Sequence, residues 1–147
     1  MQKIEIVLLC NFIIPSGLIK FLTRDEVYMK TRCQFFESLI QNQLPQVFAY
    51  FKNLDISFRL FFYDWIEYLF TKTFKYEILL RIWDNYLIRG DIFIYEVALS
   101  IIKLQDKELI NSPVKSILTN LSIFPEKYTE DDLFDVIGSL NVIYLLL

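Results

Sequence analysis

The stretch Tyr76-Glu77-Ile78-Leu79-Leu80-Arg81-Ile82-Trp83-Asp84-Asn85-Tyr86-Leu87-Ile88-Arg89-Gly90 decides the fold class. Ile78, Leu79, Ile82, Trp83, Tyr86 and Leu87 recur at i, i+1, i+4, i+5, i+8 and i+9, an apolar stripe with the period of an α-helix. Arg81, Asp84 and Asn85 fall away from that stripe, and Gly90 stands where a left-handed C-terminal cap would go. The pattern predicts a helix over 76–89. Arg81 and Asp84, three residues apart, are placed to pair along it, a contact worth about 0.2–0.5 kcal/mol on an exposed face, or, if buried, to hold a neighbouring helix end instead.

The same period runs outward in both directions. Phe58, Phe61, Phe62, Trp65, Ile66, Leu69 and Phe70 form one face of a preceding helix, with Asp64 and Glu67 opposite and Asp55 or Ser57 as its cap. Residues 92–104 are apolar almost all round, with Glu96 the only charge before Lys103, as in a central buried helix. Residues 25–41 carry Tyr28, Cys33, Phe36, Leu39 and Ile40 at helical spacing, and Pro45 restarts the chain into 47–54. Ser112 and Pro113 read as an N-cap and first-turn proline before 114–121. Thr129-Glu130-Asp131-Asp132 resembles a capping box ahead of 133–140. No alternating strand pattern, repeat or linker competes. The expectation is an all-α array of about six to eight helices, with Trp65, Trp83, Ile82, Phe62 and Leu99 in its core. The faces at 58–70 and 76–87 should meet each other or share the 92–104 helix.

Composition removes several function classes. Apolar residues make up 54% of the chain and aromatics 17%, far too many for a disordered protein. Yet the longest charge-free runs, 6–19 and 38–51, fall short of the roughly 20 apolar residues that span a bilayer. They are also broken by Asn11, Pro15 and Gly17, and by Gln41, Asn42, Gln43, Pro45 and Gln46. Residues 6–14 after Lys3 resemble a signal-peptide core, but Glu5 precedes them and no small-residue cleavage site follows. Net charge is −3 with lysines and arginines scattered among acids, so nucleic acid has no basic face to bind. Cys10 and Cys33 are too few for a disulfide framework or a zinc site, and read as small hydrophobes of a reducing cytosol. Histidine is absent, and three glycines leave no phosphate-cradling loop. No catalytic, cofactor-binding or metal-ligating residue is assigned. The tryptophans read as packing residues, and Glu130, Asp131 and Asp132 as charges favourable at a helix N-terminus.

A family comes into view at Trp65-Ile66-Glu67-Tyr68-Leu69-Phe70 followed by Arg81-Ile82-Trp83-Asp84-Asn85-Tyr86-Leu87-Ile88-Arg89-Gly90. In this order the two segments resemble the second half of the TBC domain, with its W-x-x-x-L-F helix and R-[VI]-W-D-x-[FLY]-L-x-x-G segment. Phe93, Tyr95 and Val97-Ala98-Leu99 fill the place of the apolar helix that follows in that family. Leu44-Pro45-Gln46-Val47 and Leu54-Asp55-Ile56 upstream, and Asn120-Leu121 and Asp132-Leu133-Phe134 downstream, match in order. The resemblance covers residues 26–134.

It implies an all-helical GTPase-activating module for Rab-family small GTPases, taking part in vesicle traffic, cytoplasmic and peripheral to endomembranes. It also implies two catalytic fingers from the family's N-terminal half: an arginine in I-x-x-D-x-x-R and a glutamine in Y-x-Q. Arginine neutralises charge on the transferring phosphoryl group and glutamine positions the attacking water. None of Gln2, Gln34, Gln41, Gln43, Gln46 or Gln105 has a tyrosine two residues before it, and Arg24, Arg32, Arg59, Arg81 and Arg89 sit in other frames. Residues 6–12 would then correspond to family sequence just after the glutamine finger. The expectation is a partial TBC domain over 1–147, lacking its finger-bearing part, inactive alone and self-associating through the apolar ends 4–22 and 136–147. The alternative is a non-catalytic helical interaction module; an unrecognised small enzyme finds no converging acid, base and nucleophile.

Overall fold

The structure, a computed structural model, describes residues 25–140. Expectations that fall on 1–24 and 141–147, among them those for Cys10, Arg24, the apolar start and most of both self-association ends, lie outside the described residues. Within them the chain forms eight helices and no strand, an all-α array as expected.

Helix α1 (Glu26–Gln43) starts where Asp25 caps it, its carboxylate accepting from the Tyr28 amide at 3.0 Å. Leu44 breaks it, and Pro45, whose missing N–H costs nothing in a first turn, begins α2 (Pro45–Asn53). Helix α3 (Arg59–Glu67) is shorter than its apolar stripe. Asp55 takes a positive φ of 54°, and Ser57 Oγ accepts only a long 3.4 Å bond from the Arg59 amide, so neither caps it as expected. At its other end Leu69 and Phe70 take φ of 43° and 63°, which turns the chain out of the helix before the stripe is exhausted.

Helix α4 (Tyr76–Arg89) keeps the predicted limits. Gly90 at its end has φ 71° and ψ −158°, a conformation reserved for glycine but not the left-handed helical cap expected. Helix α5 (Asp91–Leu104) follows at once, and a single turn, α6 (Asp106–Leu109), extends it. Helix α7 (Val114–Ser122) begins one residue later than predicted in its capping: Pro113 is the cap, and Ser112 Oγ instead donates back to the Glu108 carbonyl at 2.7 Å. Helix α8 (Glu130–Ser139) carries the predicted capping box, with Thr129 Oγ1 accepting from the Asp132 amide at 3.1 Å and Asp132 accepting from the Thr129 amide at 2.7 Å.

Helix α5 is the axis of the array, packing against α1, α3, α4, α6 and α8. The α3 and α4 faces therefore share it, one of the two arrangements expected. An aromatic seam fills the space between α1, α3 and α5: Phe36 stacks on Phe62 at 4.1 Å and Phe62 on Tyr95 at 5.8 Å, while Phe61 tilts against Trp65 at 5.0 Å. Trp65, Ile82, Phe62 and Leu99 are buried as expected. Trp83 is only half-buried, because the α4 stripe is wider than the surface α5 offers to cover.

Candidate functional site

Arginines are the residues a GTPase activator would use, and the fold gives each described one a fixed place. Arg32 on α1 is buried and reaches across to the first residue of α5, its Nη1 donating to Asp91 Oδ2 at 2.6 Å and to the Tyr28 hydroxyl. Its guanidinium lies 5.3 Å from the ring centres of both Tyr28 and Tyr95, and the Tyr86 hydroxyl donates to Asp91 Oδ1 at 3.1 Å. Burial opposes the Arg32 charge, but Tyr95, Asp91 and Tyr28 outweigh it and hold its pKa above the ordinary value. Burial in turn pushes the Tyr95 hydroxyl up to about 12, against the pull of Arg32.

Arg89 and Glu96 pair around the Gly90 corner, Nη2 lying 2.7 Å from Oε2, with Glu96 2% exposed and Arg89 36%. Burial raises the Glu96 pKa, and Arg89 pulls it back down. Arg81 does not pair with Asp84. It donates to Glu130 Oε1 at 2.6 Å, lies 3.7 Å from Asp131 and stacks over Phe134 at 3.9 Å, so it ties α4 to the first turn of α8. A partner on a separate helix outcompetes Asp84 because it offers two carboxylates and an aromatic face together. Arg59 lies over the Tyr63 ring at 4.9 Å. Among the glutamines, Gln105 is buried and donates to the Ile101 carbonyl at 3.1 Å, while Gln34, Gln41 and Gln46 are exposed and Gln43 is half-buried.

The two tryptophans form a second constellation. Trp65 Nε1 donates to the Leu121 carbonyl at 3.2 Å, tying α3 to the end of α7. Trp83 Nε1 donates to the Leu69 carbonyl at 3.0 Å, tying α4 to the turn that follows α3. The segments that carry the family resemblance are thus linked physically: one tryptophan fixes the turn that ends the other's helix. A cavity of about 200 Å³ opens beside this turn, lined by Leu60, Phe61, Asp64, Trp65, Lys72 and Thr73, with Leu118 and Ser122 of α7. Cys33 is buried, as expected, and burial, with Glu37 nearby, pushes its thiol up to about 11.

The sequence reading missed Arg32. Its partner Asp91 lies 59 residues away, and nothing in one chain's periodicity connects the two. Among the described residues no group of three or more acidic, cysteine or histidine side chains is arranged to hold a metal ion, and no helix is long and apolar enough to cross a membrane.

Comparison with known proteins agrees with the segments quoted above. The family model described as the Rab-GTPase-TBC domain matches residues 5–110. Drainin of Dictyostelium discoideum is 31% identical over 142 residues, 95% of this chain and 32% of drainin. TBC1 domain family member 14 of Rattus norvegicus is 30% identical over 122 residues, 83% of this chain and 18% of that protein. TBC1 domain family member 12 of Xenopus tropicalis is 27% identical over the same length. The chain thus spans a third or less of the relatives it matches. With the family model covering most of its length and its linked tryptophans in place, the chain belongs to the Rab-GTPase-TBC domain family.

Proposed function

We propose that these 147 residues carry the helical scaffold of a GTPase-activating TBC domain for a Rab-family small GTPase in vesicle traffic, and not its two catalytic side chains. The observation that carries the second half is in the sequence: I-x-x-D-x-x-R and Y-x-Q are both absent from it. Ile88-Arg89-Gly90-Asp91 is the nearest frame, and Ile94 stands where its arginine would. Supporting this, Arg32, Arg81 and Arg89 are each engaged with a carboxylate of the fold rather than projecting as a finger. A finger that stays in a salt bridge cannot neutralise phosphoryl charge.

An arginine finger is worth about 10³–10⁵ in rate, so its loss leaves no intermediate outcome. Added to a panel of GTP-loaded Rab proteins, the chain should leave hydrolysis at the intrinsic rate. Supplying the finger-bearing segment of a matching TBC domain should restore acceleration. A hundredfold stimulation of any Rab by the chain alone would sink the proposal, and single substitutions of Arg24, Arg32, Arg59, Arg81 and Arg89 would locate the group responsible. The same reading places the protein on the cytoplasmic side of endomembranes and lets it self-associate through 4–22 and 136–147. Sedimentation velocity tests the latter, and a monomer at all concentrations would exclude it.

One observation favours the alternative of a non-catalytic interaction module. Tyr76, Leu80 and Leu87 are exposed along one side of α4 beside half-buried Trp83, at the spacing of a helix–helix seam. Hydrolysis and binding assays on the same Rab panel separate the two readings.

A further inference from the structure

We infer that the turn from Tyr68 to Phe74 is a strained wall of the α3–α7 cavity and that the Trp83 indole is its latch, so that releasing one hydrogen bond opens the turn. Two adjacent bulky residues, Leu69 and Phe70, occupy the left-handed region with φ of 43° and 63°, which L side chains adopt reluctantly. Such a conformation persists only where the surroundings over-determine it. Most bonds that shape the turn come from its own backbone or from the end of α3: Phe70 N–H to Trp65 O at 2.9 Å, Thr73 N–H to Phe70 O at 2.9 Å and Phe74 N–H to Phe70 O at 3.1 Å. Two further bonds fasten it to other elements. At the far end the Phe124 amide donates to the Thr73 carbonyl at 2.8 Å, and Phe74 and Phe124 lie ring to ring at 4.8 Å. At the strained end the fastening is the Trp83 indole on the Leu69 carbonyl, at 3.0 Å.

The two ends differ in reach. Phe74 and Phe124 are buried, whereas Trp83 is half-buried beside the exposed Tyr76, Leu80 and Leu87, so the latch is the end that a contact from outside can disturb. Lys72 and Thr73 line the cavity, so the turn's position sets the width of its mouth. The inference needs no GTPase and stands apart from the proposed function.

Amide hydrogen exchange on the full chain tests it. Trp83→Phe keeps an aromatic ring and deletes the donor. Exchange at the Phe70, Thr71 and Thr73 amides should rise at least tenfold, while the Leu99 and Ile101 amides of α5 stay as in the wild type. Leu69→Gly removes the part of the strain held at Leu69, so in the Trp83→Phe background it should slow exchange at Phe70 at least threefold. Leu69→Gly alone, which keeps the latch, should exchange there no faster than the wild type and serves if Trp83→Phe does not fold. Uptake of an anionic apolar dye, anilinonaphthalene sulfonate, should increase in Trp83→Phe as the cavity mouth widens. Unchanged turn amides, an equal rise across α5, absent rescue by Leu69→Gly, faster exchange in Leu69→Gly alone, or unchanged dye uptake would each overturn it.

Discussion

Helices α4 and α5 are each 14 residues long and adjoin at Gly90, yet they live in opposite surroundings. Helix α5 buries every residue from Phe93 to Ile102, including Glu96 and Ser100. Helix α4 buries Leu79, Ile82 and Tyr86 and leaves Leu87 62% and Ile88 84% exposed. Both hold six isoleucines and leucines, yet α5 is the more hydrophobic helix overall. Their charges are also placed differently: α4 carries Glu77, Arg81 and Asp84 along its outer side, while α5 keeps its charges at its ends except for Glu96. A helix with no polar face has no way to meet water, so it becomes the axis on which others pack.

The sharpest break of this contrast is Leu99→Ala. Leu99 is fully buried at the middle of α5, and its loss should cost about 3–5 kcal/mol, because the surrounding helices cannot all collapse into one cavity. Chemical denaturation measures it, and a cost under 1 kcal/mol would mean that α5 is not the axis.

Next in size is the one charge inside the axis. Arg89→Ala strands the Glu96 carboxylate and should cost about 2–3 kcal/mol, less than for a fully buried pair because Arg89 reaches water. Glu96→Gln in that background should recover most of the loss. Glu96 also gives a pH signature. Burial raises its folded pKa above the unfolded value despite Arg89, so the folded state binds the proton more tightly. The resulting stability is complete below about pH 4 and fades as pH rises through the folded pKa. Glu96→Gln should flatten that part of the stability curve; an unaltered slope would assign the titration elsewhere.

Gly90 is a cleaner case than most glycines. A Cβ added there meets nothing within 4 Å, but its φ of 71° lies where side chains are strained. Gly90→Ala should therefore cost about 1–2 kcal/mol through the backbone alone, read by thermal melting. The smallest effect belongs to α4's outer side: Leu87→Lys should change stability by no more than about 0.5 kcal/mol. A larger loss would show that something in the folded chain covers it.

How far the sequence reached follows the same division. Signals confined to one turn were legible: the limits of α4 and the Thr129–Asp132 box depend on residues close in the chain. The family segments were legible too, as ordered motifs. Signals that depend on a distant partner were not. Arg81 finds Glu130 across 49 positions instead of Asp84, and the stripe through Leu69 and Phe70 stops being helical where Trp83 takes the Leu69 carbonyl. Ser112 had the right side chain for a cap, but Pro113 took that place, and the serine turned back to Glu108. Trp83 looked like core because its spacing is that of core; how much of a stripe is covered depends on the width of its neighbour.

The central place of α5 also sets a schedule for the growing chain. Helices α1 and α3 come off the ribosome before it; Phe36 and Phe62 can stack on each other at once, but Phe35 and Phe62 also pack on Tyr95 of α5, whose last residue is Leu104. At roughly 5–20 residues per second, about 3–14 s separate the synthesis of Phe35 from that of Leu104. Until then the faces of Phe35 and Phe62 that pack on Tyr95 lack their native cover, a natural clientele for chaperones. Slowing translation within α5 should lengthen this exposure far more than slowing it within α8.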